Sequence, residues 1–186
     1  MAEKILYFAY GANKTHEMMS AITGNGSLVG RPAVLEGYGI FVQKLHQVPD
    51  VIAPNSPAPI SPRKIITDVW DENFETYVIK PDSEKQLSGT VWELTELERE
   101  LVRNWELIDF GWYKDAKVKI KTAEGEEIEV QTEIMGDGQE VDREVNGRDY
   151  PPFLNRLEDF QRVARETRVE YLTLLEGSPP SKERQS

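Results

Sequence analysis

The chain has 186 residues with 33 acidic against 22 basic side chains, a formal net charge of −11, and it contains no cysteine. The acidic excess opposes attraction to nucleic acid and to anionic membranes, and the absence of thiols excludes disulfides, thiolate catalysis and cysteine metal sites. At 39% hydrophobic residues, with four Trp, seven Tyr and six Phe, the length suits one globular domain, expected over 1–177 with a disordered tail over 178–186.

No secretory or membrane-spanning segment is legible at the start, because Lys4 is followed only by a short strand-like run. The expectation is a soluble, cytoplasmic protein that engages small molecules or proteins, with no nucleic acid and no membrane as partner. Ile5 to Tyr10 is an almost unbroken apolar and aromatic run, as in a strand buried on both faces. Gly11, Ala12 and Asn13 break it, and glycine's tolerance of positive φ lets backbone N–H groups face a ligand there. Lys14 to Ile22 reads as a short helix capped by Asn13 or Thr15. Strand, glycine turn and helix start together make a small anion-binding nest, although buried strands also end this way without any ligand.

The glycines of 24–30 mark a plain turn, since no Lys-Ser or Lys-Thr follows Gly30 to contact phosphates. Arg31 to Gln43 reads as β-structure with a bulge or bend around Gly37 and Gly39. Residues 49–63 hold five prolines and are expected as a loop or polyproline-like excursion. Strands are expected over Thr76–Ile79 and Leu87–Leu94 with a turn at Pro81–Ser83. Thr95 and Glu98 form a capping box for a helix whose apolar face is Leu97, Leu101, Trp105 and Ile108, broken at Gly111.

Lys117–Thr122 and Glu126–Met135 alternate as two strands joined by a hairpin at Ala123–Gly125, with Val118 and Ile120 on one face and Ile128, Val130, Thr132 and Ile134 on the matching face. Residues 136–149 read as a loop. Pro151 and Pro152 introduce a helical run through Phe153, Leu157, Phe160, Ala164, Tyr171 and Leu174, either one helix or two broken near Glu166, stopped by Gly177. The class is α+β; the strand order is not legible. His16 reads as an exposed helix residue and His46 as a loop residue. With no metal-ligand cluster, nucleotide fingerprint or Ser-His-Asp arrangement, no metal and no cofactor is implied.

Tyr7, Phe8, Ala9, Tyr10, Gly11, Ala12 and Asn13 spell YFAYGAN, which resembles the signature loop YFAYGSN of the γ-glutamylcyclotransferase-like family. Ala12 stands where the family has serine, so one hydroxyl is missing while the backbone donors remain. Gly30, Ala33, Leu35, Gly37 and Tyr38 fit a second family segment. Gly89, Val91 and Trp92 fit a third, followed without a gap by Glu106 at the family's glutamate and by Gly111 and Tyr113 at its Gly-x-Tyr.

The resemblance implies a small, largely antiparallel β-barrel with helices packed around it and the glycine loop at its mouth. It implies cyclisation of a γ-glutamyl amino acid or amide to 5-oxoproline with release of the free amine. Glu106 would be the catalytic proton shuttle, with Tyr7 to Asn13 and Tyr113 binding substrate. Periodicity alone makes Glu106 a boundary position in an acidic stretch; it enters a pocket only if the helix ends just before it, which Gly111 permits. Tyr7 reads first as buried core, Tyr10 equally as core or pocket lining, and Tyr113 as core with a polar tip. The proline-rich stretch departs from the family. The alternative is a non-catalytic binding or regulatory module on the same fold, suggested by Ala12, that stretch and the acidic surface. A nucleic-acid-binding barrel is opposed by charge. Neither the leaving amine nor the choice between monomer and homodimer can be read from these residues.

Overall fold

The first strand, β1, spans Ile5–Ala9. The computed structural model describes residues 3–145 and 156–177. Pro151, Pro152, Phe153 and the tail over 178–186 lie outside the described residues. The remaining strands are β2 (Arg31–Lys44), β3 (Glu75–Leu94), β4 (Tyr113–Thr122), β5 (Glu127–Met135) and the short β6 (Arg143–Glu144). The helices are α1 (His16–Thr23), α2 (Pro62–Val69), α3 (Glu96–Trp105) and α4 (Leu157–Gly177).

The sheet order is β3-β1-β5-β4-β2, and β2 pairs back onto β3 to close a five-stranded barrel, with β6 on β2. The β1–β5 pairing is parallel and the others are antiparallel. The expected α+β barrel with helices around it is the observed architecture. Phe8, Leu35, Ile79, Val91, Ile120 and Val130, drawn from all five strands, fill the barrel. A second apolar layer, including Tyr7, Trp92, Met18, Leu101 and Phe160, lies between barrel and helices. Successive side chains of a strand point to opposite faces, so β1 sends Phe8 inward and Tyr7 and Ala9 towards the helices. Both faces are covered, which explains the unbroken apolar run. Each large side chain so buried contributes roughly 1.5–3 kcal/mol.

Gly89 sits where β3 crosses β1. A Cβ there would lie 2.4 Å from the Ala9 carbonyl oxygen and 2.4 Å from Phe8 Cζ. Gly89→Ala is therefore expected to lower stability by about 1–3 kcal/mol through overpacking, read as a reduced denaturant midpoint; an unchanged midpoint would contradict this packing.

The hairpin forms as expected, with Val118 opposite Val130 and Ile120 opposite Ile128. The bulge expected near Gly37 lies between Glu36 and Tyr38, where Gly37 has φ +80°. Opposite it, the expected turn at Pro81–Ser83 is not a chain reversal. Glu36 pairs with Gln86 and Tyr38 with Pro81, so 82–85 bulge from a single bent β3. The end of the proline-rich stretch is helical: Ser61 caps α2 by accepting from Lys64 N, and Pro62 is its first residue, where a missing N–H costs nothing. Arg63 then ties α2 back to the carbonyls of Val48 (2.9 Å) and His46 (2.7 Å).

On α3 the expected capping box forms between Thr95 and Glu98. Its buried face differs from the expected one: Leu97 is 49% exposed, whereas Glu98, Arg99, Leu101 and Val102 are buried. α4 runs unbroken past Glu166, with Leu174 exposed.

Candidate functional site

After β1, the chain makes a 3₁₀ turn over Ala12–Lys14, closed by Lys14 N donating to Gly11 O (3.0 Å) and Thr15 N to Ala12 O (3.2 Å). Thr15 caps α1, accepting from Met18 N. That frees Asn13 from capping, and its side chain turns inward at 4% exposure. Trp92 Nε1 fixes its position by donating to the Asn13 carbonyl (3.0 Å). Gly11 does not use positive φ; it has φ −105°. A Cβ there would meet nothing within 4 Å, so glycine leaves open space beside the loop.

Glu106 arrives from the other side, at the end of α3. The helix is stopped by Leu107 rather than by Gly111. Leu107 adopts φ +52°; its N–H donates to Asn104 O (3.2 Å), and Ile108 N donates to Arg103 O (3.2 Å). This is the Schellman pattern, usually built with glycine. It places Glu106 at the C-cap and turns the carboxylate off the helix surface. Leu107 is only 8% exposed. Leu107→Gly would relieve about 1–2 kcal/mol of left-handed strain but remove a buried leucine, a loss of about 2–5 kcal/mol by the measure of leucine truncations. Net destabilisation of about 1–3 kcal/mol is expected in denaturant melts; a gain in stability would show that backbone strain dominates.

The two arms meet in a chain of hydrogen bonds. Asn13 Nδ2 donates to Glu106 Oε1 (2.6 Å) and to the Tyr7 hydroxyl (3.2 Å), and the Tyr7 hydroxyl donates to Glu133 Oε1 (2.5 Å). Glu133, on β5, is 3% exposed. Arg99, 2% exposed, lies over the Tyr7 ring at 4.8 Å and donates to Gln131 Oε1 and Asp115 Oδ1, both at 3.0 Å.

A cavity of about 130 Å³ opens beside this chain. Its walls come from the 3₁₀ turn, α2, the end of α3, the starts of β3 and β4, and α4. Glu106 and Glu133 are its charged lining residues, set among aromatic side chains such as Trp70, Phe74 and Trp112. Among the described residues, no Lys, Arg or His borders it. The glycine loop leaves the barrel rim as expected, but the cavity opens beside the barrel, because side chains fill the interior.

Of the residues expected at the site, Tyr10, Gly11, Ala12, Asn13, Glu106 and Tyr113 border the cavity. Tyr7 joins through its hydroxyl. Phe8 and Ala9 do not reach it, since strand alternation commits them to the barrel interior and the helix layer. Tyr113 lines the cavity with its ring, while its hydroxyl donates to Tyr77 O (2.9 Å) beside Thr76 Oγ1 (3.0 Å).

The sequence matches no family model and no curated protein. Solved structures do match. A γ-glutamyl cyclotransferase aligns at 18% identity over 99% of this chain and 93% of its own, with a TM-score of 0.54. An uncharacterized protein from Homo sapiens aligns at 20% identity over the same shares, with a TM-score of 0.56. YkqA from Bacillus subtilis aligns at 14% identity over 95% of this chain and 56% of its own, with a TM-score of 0.52. The chain has the γ-glutamylcyclotransferase-like fold.

Within this γ-glutamylcyclotransferase-like barrel, burial sets the protonation states. Glu106 is half-buried as a residue, but its carboxyl lies deep enough that loss of hydration raises its pKa well above the ordinary carboxylate range. The Glu133 charge adds to the rise, while the Asn13 hydrogen bond and Arg99 oppose it. The negative end of α3 acts in the same raising direction. Burial also raises Glu133, against the opposing pull of Arg99 and the Tyr7 hydroxyl, which favour its charged form. Burial holds the hydroxyls of Tyr7, Tyr10 and Tyr113 protonated.

Glu133 and Arg99 escape the sequence reading. The alternation on β5 correctly turns Thr132 away from Glu133, but the face carrying Glu133 is covered rather than wet. No local pattern signals that cover, since it comes from β1 and α3.

Proposed function

We propose that the protein is a γ-glutamylcyclotransferase-type enzyme that converts a γ-glutamyl amino acid or amide to 5-oxoproline and a free amine. The observation that carries this reading is the hydrogen bond joining the Glu106 carboxyl to Asn13 of the YFAYGAN loop at the wall of the cavity. It brings together two segments 93 residues apart, the same two that carry the family resemblance.

A γ-glutamyl compound contains its own nucleophile. Folding the α-amine against the γ-carbonyl carbon makes attack intramolecular, so the protein's task is mainly to hold that conformer. Glu106, once ionised, takes a proton from the α-ammonium. The freed amine forms the new C–N bond and the carbonyl π electrons move to oxygen. Backbone N–H groups of Gly11, Ala12 and Asn13 face the developing oxyanion and the α-carboxylate. Collapse of the intermediate breaks the bond to the leaving nitrogen, which takes a proton from Glu106. Two protons leave the attacking nitrogen and two reach the departing amine, which is released as an ammonium. A carboxyl with a raised pKa suits both directions of transfer. Ala12 offers no hydroxyl, so this loop binds through its backbone.

The test is a panel of γ-glutamyl amino acids, peptides and amides assayed for 5-oxoproline. Release from at least one member is expected. Saturable binding without turnover would instead favour the non-catalytic module.

A further inference from the structure

The cavity holds a carboxylate oxygen that the proposed chemistry leaves unused. Glu133 is 3% exposed and borders the cavity; Oε1 accepts from Tyr7, whereas Oε2 has no hydrogen-bond partner among the described residues. Arg99 does not supply one. Its Nε and Nη2 are spent on Gln131 and Asp115, Nη1 is itself unpartnered, and no ion pair joins it to Glu133. A buried, unpaired carboxylate oxygen is costly unless a donor fills it. The Tyr10 hydroxyl, on the same cavity, is also unpartnered.

At Glu133 Oε2 an anion does not fit, since the neighbouring lining adds only the Glu106 carboxyl as a second acidic group and no basic side chain among the described residues borders the space. A compact group with several N–H donors and a positive charge does. On the reading that the substrate is a γ-glutamyl compound, we propose that Glu133 Oε2 binds its α-ammonium, making a second carboxylate site for a primary ammonium beside Glu106. One N–H of the ammonium bonds Glu133 while another faces Glu106, so the group that must lose a proton is held against the group that takes it. The Tyr7 hydroxyl fixes Glu133 in that pose and Asn13 fixes Glu106, which is why one hydrogen-bonded chain links both carboxylates.

The experiment is calorimetric titration of the full chain with γ-glutamylanilide and with its analogue lacking the α-amine, glutaric monoanilide. Wild type is expected to bind the amine-bearing compound roughly ten- to a hundredfold more tightly, the range for a hydrogen bond to a charged group. Glu133→Gln, close in shape and still able to accept from Tyr7, is expected to lose that preference. Glu129→Gln, exposed on the same strand, is expected to keep it. Equal binding of the two compounds by wild type overturns the proposal without any variant, as does a preference that survives in Glu133→Gln. Should 5-oxoproline still form in either case, the cyclisation reading stands alone. A Glu133-dependent preference without any 5-oxoproline would uphold the ammonium site and sink cyclisation. Failure of both compounds to bind wild type overturns the ammonium site, while the panel assay decides cyclisation separately.

Discussion

Glu106→Gln is expected to lower turnover roughly 10²–10⁴-fold, the usual scale for loss of a general acid–base group, while making the protein more stable at neutral and alkaline pH. The two effects share one cause. Burial and the Glu133 charge raise the Glu106 pKa in the folded state. A raised folded pKa means that below the unfolded value, about 4.3, both states bind the proton and nothing is lost. As pH climbs through the folded pKa, the native state must either keep a proton that the unfolded chain has released or bury a charge, and stability falls. The neutral amide that Glu106→Gln introduces carries no such penalty. Melts should therefore separate variant from wild type at pH 8 and bring them together near pH 4. A variant less stable than wild type at pH 8 would mean that the buried charge is fully compensated.

Asn13→Ala is expected to shift the acid limb of the kcat/KM profile to higher pH and to cost roughly tenfold at neutral pH. Asn13 Nδ2 supplies the hydrogen bond to Glu106 Oε1 at 2.6 Å, and that bond favours the ionised carboxylate against burial. Its loss removes about 1–2 kcal/mol of stabilisation and drives the Glu106 pKa further up. Activity should recover in part as pH rises, because ionised Glu106 can still form. The loop itself should hold, since Trp92 bonds the main-chain carbonyl of Asn13 rather than its side chain. An unshifted acid limb would contradict the role given to Asn13.

Features written in short-range patterns were legible in the sequence. The Thr95–Glu98 capping box, the 123–125 hairpin and the double-faced β1 each depend on residues a few positions apart, and each forms as read. Strand order was not legible, because β1 lies between β3 and β5, a pairing set by packing across more than 80 residues. α2 begins inside the proline-rich stretch, where the density of prolines masks the helix-start signal of Ser61-Pro62. The α3 face departs from its apolar periodicity because Leu97 faces outward, whereas the buried positions include a glutamate and an arginine held by distant partners. The candidate site shows the same division. Asn13 and Glu106 stand out through their motifs, but the turn that frees Glu106 rests on a leucine in a conformation usually left to glycine. Glu133 gains its meaning only from the helix and strand that cover it.

The most direct test of the central claim is the identity of the glutamyl product when wild-type protein turns over a γ-glutamyl amide in oxygen-labelled water. Intramolecular attack predicts 5-oxoproline without label, in equal amount to the released amine. Labelled glutamate in its place would show that water, rather than the α-amine, is the nucleophile, and would contradict the account.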